Sequence, residues 1–209
     1  MYTSGFKEGI ALMNKLNVLP NEGASDGRNI WRETHLLAAL KAIDEKNWQQ
    51  ALHYIDQARQ WPENMGVGKP YEVDERLEDF LALYSLEKSH QSIPNSLTDS
   101  LTLYRDNFPD APYSSNDFLS MHALQQNNQF EKAEQILINW LQHNVSDLAA
   151  QWSQAFMDGD IEKLNKIALM RPAKHEPLPY EILFEDRSFP FVKQLYDRNF
   201  FNMIYNTTK

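Results

Sequence analysis

Residues 36–58 read Leu36-Leu37-Ala38-Ala39-Leu40-Lys41-Ala42-Ile43-Asp44-Glu45-Lys46-Asn47-Trp48-Gln49-Gln50-Ala51-Leu52-His53-Tyr54-Ile55-Asp56-Gln57-Ala58. Leu36, Ala39, Leu40 and Ile43 recur at i, i+3, i+4 and i+7, the spacing of one face of an α-helix. A polar turn, Asp44-Glu45-Lys46, interrupts the pattern, and Asn47 is placed to cap the next helix. Trp48, Ala51, Leu52 and Ile55 then repeat the same spacing. The stretch predicts a helix hairpin, closed by Trp61-Pro62.

The same period governs the rest of the chain. Upstream, Phe6, Ile10 and Met13 form a short stripe, and a loop with Pro20, Gly23 and Gly27 follows. Downstream, a loop from Pro62 to Val73 carries Gly66, Gly68 and Pro70. Asp74 reads as the cap of a helix with Leu77, Phe80, Leu81 and Tyr84 on one face. Pro94 suits the first turn of a helix bearing Leu97, Leu101 and Tyr104. Phe108-Pro109-Asp110-Ala111-Pro112 is a break, and Ser114 with Asp117 resembles a capping box. Phe118, Met121, His122 and Leu124 follow, then Phe130, Ala133, Leu137, Trp140 and Leu141. Ser146 is placed to cap a helix with Leu148, Trp152, Ala155 and Phe156. Asp158-Gly159-Asp160 turns the chain into Ile161, Leu164 and Ala168. Pro172, Pro177, Pro179 and Pro190 separate short pieces before a last helix from Phe191 to Met203. No segment alternates at period two, so the expected fold is all-α.

Three turns read alike: Glu45-Lys46-Asn47-Trp48, Asn127-Asn128-Gln129-Phe130 and Asp158-Gly159-Asp160-Ile161. Each is followed by two polar residues and then an apolar one, Ala51, Ala133 or Leu164. The pattern resembles the second helix of a tetratricopeptide repeat, in which small residues sit where two helices cross closely. Small side chains let backbones approach, and Ala38, Ala39 and Ala42 supply such a face on the first helix. The resemblance implies antiparallel helix hairpins stacked as a short right-handed superhelix with a C-terminal capping helix. It implies one domain over 1–209, with degenerate repeats about 30–171 and a cap about 172–209. Departures exist: Ala51 and Ala133 lie 82 residues apart, more than two units of about 34. The intervening stretch, Leu77 to Tyr104, has no turn signature. The segment Trp61-Pro62-Glu63-Asn64-Met65-Gly66-Val67-Gly68-Lys69-Pro70-Tyr71 also resembles the repeat regions of large bacterial proteins that carry a β-rich, carbohydrate-related domain of unknown function ahead of the repeats. That likeness implies a C-terminal portion of something larger, with any chemistry outside this chain.

Composition narrows the function. The 209 residues carry a net charge of −9, with a pI near 5.1. No basic stripe exists to displace counterions from phosphates, which argues against nucleic acid and against an anionic membrane surface. Aromatics make up 12%, enough apolar mass to offset the entropy of ordering. The absence of cysteine excludes disulfides and thiolate zinc sites. No apolar run reaches the ~20 residues of a membrane span, and residues 1–10 lack the features of a signal peptide. The expected compartment is the cytoplasm for a complete chain, with the periplasm open to a fragment.

Candidate chemistry is sparse. Gly66-Val67-Gly68-Lys69 has the wrong spacing for a phosphate loop, and Pro70 stands where Ser or Thr would hold magnesium. The histidines His35, His53, His90, His122, His143 and His175 lack zinc-helix spacing. The acidic run Glu72, Asp74, Glu75, Glu78 and Asp79 is explained by the dipole of a helix start, although paired carboxylates could serve acid–base work. No nucleophile elbow or Ser-His-Asp pattern occurs. No cofactor, metal or catalytic residue is therefore expected. The expectation is a non-catalytic protein-interaction or scaffolding module, acting on a protein or peptide segment or on another domain of the same polypeptide.

Aligning the units places Leu36, Leu40 and Ile43, then Leu77, Leu81 and Tyr84, then Phe118, His122 and Gln125, along the face that lines a tetratricopeptide groove. Such a strip would hold an amphipathic or extended segment. A register shift of one residue would make the same strip hairpin core. The aromatic run Phe184, Phe189, Phe191, Tyr196, Phe200, Phe201 and Tyr205 reads as a cover for the last hydrophobic face, or as an interface.

Overall fold

The computed structural model describes residues 5–20, 26–170 and 186–201. Among these, every regular element is a helix. In chain order they are α1 (Phe6–Met13), α2 (Asp26–Asp44), α3 (Trp48–Ala58), a 3-10 turn (Glu63–Met65), α4 (Arg76–Lys88), α5 (Asn95–Thr102), α6 (Tyr104–Asn107), α7 (Asn116–Gln126), α8 (Phe130–His143), α9 (Leu148–Met157), α10 (Ile161–Leu169) and α11 (Phe189–Asp197). The chain divides into two compact units that part between Leu97 and Thr98.

In the first unit α1 packs on α2, α2 on α3 and α3 on α4. Its centre is the apolar face read above: Leu36, Ala39, Leu40, Ala51, Ile55, Ala58, Leu77 and Leu81 are all buried. Ala39, Ala51 and Ala58 have no exposed surface, as expected where backbones approach closely. In the second unit α7 packs on α8, α8 on α9, α9 on α10 and α11 on α7. Trp140, Trp152, Phe118 and Phe201 are its largest buried side chains.

The repeated turns share one geometry. Lys46, Asn128 and Gly159, the second residue of each, have φ of 56, 58 and 69°. The next N–H reaches back to a carbonyl five residues earlier: Asn47 to Ala42 at 2.8 Å, Gln129 to Leu124 at 2.9 Å and Asp160 to Ala155 at 2.9 Å. This left-handed helix stop satisfies carbonyls the helix leaves open. The same stop ends α4 at His90 (φ 56°) and α11 at Asn199 (φ 60°), with Gln91 bonded to Leu86 and Phe200 to Leu195. The stretch without a turn signature thus carries the turn all the same.

Several boundaries move. Gly27 lies inside the first turn of α2 rather than in the preceding loop. The cap of α9 is Asp147, which accepts the N–H groups of Ala149 and Ala150, while Ser146 bonds Asn144 instead. Asp74 accepts the Arg76 N–H at 3.2 Å, but its larger role is a two-point pairing with the Arg76 guanidinium. Asp117 does accept the Ser114 N–H at 2.9 Å, as a capping box requires. Its stronger partner is Arg105, at 2.7 and 2.6 Å. Arg105 also bonds the Ala111 carbonyl and stacks 4.0 Å over Tyr113, fixing the Phe108–Pro112 break. The last helix stops at Asp197, short of the expected Met203. Phe184, His175 and Tyr205 lie outside the described residues.

The loop after α3 is built by close approach. A Cβ on Gly66 (φ 71°) would stand 2.7 Å from the Val18 carbonyl oxygen, and one on Gly27 would stand 2.5 Å from that of Met65. Asn64 donates to the Met13 and Leu16 carbonyls at 2.9 Å each, and Met65 is buried. Beyond this anchored base the loop turns outward, and Tyr71 is fully exposed.

Candidate functional site

The strip expected to line a groove is interior. Leu36, Leu40, Ile43, Leu77, Leu81, Phe118 and His122 are buried, and Tyr84 and Gln125 are half-buried. The reason is geometric: the apolar face of a hairpin helix is also the face it turns to its neighbours. Phe118 meets Trp152, Phe156 and Phe201 edge-on at 5.1, 4.9 and 5.0 Å. His122 sits 5.0 Å from the Phe201 ring, and burial pushes its imidazole down to about 4, against a backbone hydrogen bond to Phe201 that raises it. Gln125 donates to the Met157 sulfur at 3.1 Å.

An open cleft exists elsewhere, within the second unit. It has a volume of about 530 Å³, inside the range of roughly 300–1,000 Å³ common for binding sites. One wall is α10, which presents Leu164, Asn165, Ala168 and Leu169. The other is α11, with Pro190, Lys193, Gln194 and Asp197 at i, i+3, i+4 and i+7. Trp152 and Tyr196 complete the lining. Their rings meet edge-on at 5.6 Å.

Lys193 sets the cleft's chemistry, and Trp152 lies fully buried behind it. Lys193 bridges its walls: the ammonium is 3.3 Å from the Ala168 carbonyl oxygen and 4.7 Å from the Phe189 ring centroid. Trp152 is fully buried, and its indole N–H has no acceptor, an arrangement that is costly in a folded interior. The α11 wall is held by Asp186, whose carboxylate accepts the Ser115 N–H at 2.6 Å, the Ser115 hydroxyl at 2.8 Å and the Ser188 and Phe189 N–H groups at 3.2 Å each. Burial raises the Asp186 pKa, and nearby Asp147 adds to it. The hydrogen bonds from Ser115 and Ser188 oppose the rise.

The first unit holds a second concentration of polar groups. Glu78 and Asp79 lie in the first turn of α4, as the helix-start reading expects, and Asp74, Glu75, Glu78 and Asp79 are all drawn into ion pairs as well. Glu78, fully buried, takes two hydrogen bonds from Arg32 at 2.5 and 2.9 Å. Burial alone would lower the Arg32 pKa, but Glu78 outweighs it and the net shift is upward. Arg59 reaches Asp56, Glu75 and Asp79 at 3.1, 3.5 and 2.6 Å. Burial raises the Glu75 pKa and Glu78 adds to the rise, while Arg59 pulls it down. Arg28 donates to the last carbonyl of α3, Ala58, at 2.7 Å and lies 4.5 Å over Trp61. Burial, then Arg32, lowers its pKa to about 10. These charges tie α2 to α3 and α4, which is a structural use of the acidic run.

His35 is buried with its Nδ1 2.8 Å from the Trp31 carbonyl oxygen. Among the described residues no three His, Asp or Glu side chains gather as metal ligands, and no helix is long and apolar enough to cross a membrane. The cleft residues escaped sequence reading because the pair that bridges their two rows, Ala168 and Lys193, lies 25 residues apart and neither row is wholly apolar. The one available signal was Leu164, Ala168 and Leu169 continuing the α10 stripe past the width a single packed face needs. Comparison with protein-family models, with curated proteins and with solved structures found no match to this chain.

Proposed function

We propose that this chain is a non-catalytic protein-interaction module of tetratricopeptide-like helix hairpins, and that it takes a segment of a partner protein in the cleft between α10 and α11. The observation that carries this reading is the cleft itself, a volume of about 530 Å³ between two helices. Leu169, 86% exposed, forms an apolar lip at its mouth. Large exposed apolar side chains beside a concave surface are what association surfaces use. The cleft's titratable groups are Lys193, Tyr196 and Asp197, a set suited to orienting a ligand and without a nucleophile–base pair.

The test is a photo-crosslinking residue placed at Leu169 in the source cell, with Lys163, exposed on another side of α10, as control. A discrete adduct at Leu169 that disappears when Ala168→Trp fills the cleft is the expected result. The same adducts at both positions, or an adduct indifferent to Ala168→Trp, would overturn the reading.

A further inference from the structure

We infer that the cleft between α10 and α11 takes an amphipathic α-helix with an acidic and a basic residue one turn apart beside its apolar stripe; the inference rests on the docking reading above. Both walls of the cleft are helices. The backbone of a helix interior is hydrogen-bonded to itself, so neither wall has an edge that a strand could extend. The Ala168 carbonyl, near the end of α10, already receives the Lys193 ammonium at 3.3 Å. An extended segment brings one N–H and one C=O per residue, and no row of backbone groups stands ready for them here. A helix arrives with those groups paired and needs only an apolar surface for its apolar face. Leu164, Ala168, Leu169 and Pro190 supply that surface, and Leu169 is still 86% exposed.

Two charges specify the helix further. Lys193 and Asp197 stand four residues apart on α11, and both line the cleft. Four residues are about 6 Å of helix rise, close enough for the two to pair. Neither makes an ion pair. The Lys193 ammonium lies instead against the Ala168 carbonyl and 4.7 Å from the Phe189 ring centroid, and Asp197 is exposed at the rim. Lysine ahead of the acid is the weaker order for such a pair, which leaves both charges open to a partner. A helix lying along the cleft presents residues at the same rise. A Glu or Asp facing Lys193 therefore puts a Lys or Arg of the next turn opposite Asp197. A helix of a single sign would be drawn to one of the two charges and repelled by the other.

The experiment titrates the full chain with fluorescein-labelled, alanine-based helical peptides, read by anisotropy. All share one leucine stripe. Beside it stand Glu and Lys one turn apart in the first peptide, two Glu in the second and two Lys in the third. A fourth has the composition of the first, broken by two prolines. The Glu/Lys helix is expected to bind saturably and about tenfold more tightly than either like-charged helix, because each like-charged helix replaces an attraction of a few-fold by a repulsion of similar size. Asp197→Lys, on an exposed side chain, should invert the order in favour of the Glu/Glu helix, and high salt should shrink the difference. Ala168→Trp should block all binding. Asn165→Trp, at an exposed position on the same wall, gives a second block should Ala168→Trp fail to fold by circular dichroism. Equal binding of the three helices, or an order that Asp197→Lys leaves unchanged, would overturn the inference. So would a proline-broken peptide that binds as tightly as its parent. If no peptide binds while Leu169 crosslinks discretely, docking stands and the inference falls. If no peptide binds and crosslinking at Leu169 also fails, both readings fall together.

Discussion

At the residue scale the helix stops are the clearest case of local chemistry overridden by its surroundings. Gly159 and Asn128 are residues that enter left-handed backbone readily, and their turns were legible. The Lys46 turn was legible from its pattern rather than from its residue type, and the His90 turn was not; each adopts φ 56° and is closed by the bond from the next N–H back across the helix end. Glycines allow the strain and the crowding to be separated. Gly66 and Gly159 share a positive φ, but only Gly66 faces a backbone oxygen, at 2.7 Å; Gly159 has nothing within 4 Å. Gly159→Ala should cost about 1 kcal/mol, and Gly66→Ala clearly more, roughly 2–4 kcal/mol. Gly68→Ala, with open space and no such φ, should be near neutral, as checked by urea denaturation of all three. His122 makes a pH prediction. Its pKa falls from 6.5 to about 4 on folding, so the folded state resists a proton that the unfolded state accepts. The associated stability is present above pH 6.5 and is lost as pH falls towards 4, by about 3 kcal/mol in all. His122→Gln should flatten that part of the stability–pH curve between pH 7 and 4, and an unchanged slope would assign the loss to other groups.

At the element scale the hairpins were legible and the open cleft was not. Periodicity identifies an apolar stripe, but it cannot say whether the stripe meets another helix or open solvent. Leu36, Leu77 and Phe118 each sit on such a stripe, and each is core. The cleft depends on α10 and α11 standing apart, which no single helix encodes. The cap of α9 lies one residue beyond Ser146 because the Asp147 side chain accepts two N–H groups there while the Ser146 hydroxyl is committed to Asn144. Ion pairs between helices were invisible for the same reason as the cleft: Arg32 and Glu78 lie 46 residues apart. Because Glu78 is fully buried, Glu78→Ala should destabilise by about 3–5 kcal/mol by stranding the Arg32 charge. The Arg32→Met, Glu78→Met double variant should recover most of that loss in thermal unfolding. A double variant as unstable as Glu78→Ala would mean that packing, rather than charge, carries the cost.

At the scale of the whole molecule, acidity and stability act in the same pH window. The chain is strongly negative at pH 7 and passes through neutrality near pH 5.1, where like-charge repulsion between molecules vanishes. The His122 contribution is already falling there. Turbidity should therefore peak near pH 5, and His122→Gln should shrink the peak without moving it. A peak displaced from pH 5 would separate solubility from net charge. Composition alone made this behaviour readable, whereas the division into two units was not, because the chain parts inside α5 without a Pro- or Gly-rich linker to mark it.

Tyr71 stands wholly in solvent on a loop whose base is clamped by Gly27, Gly66 and Asn64, in a chain without a single cysteine. Tyr71→Cys would therefore create a unique thiol on an outward-turned loop, open to maleimide dyes or nitroxide labels without any background to remove. A dye there would tumble more slowly once a partner joined the chain, so its anisotropy would turn association into an optical signal wherever on the molecule the partner sits.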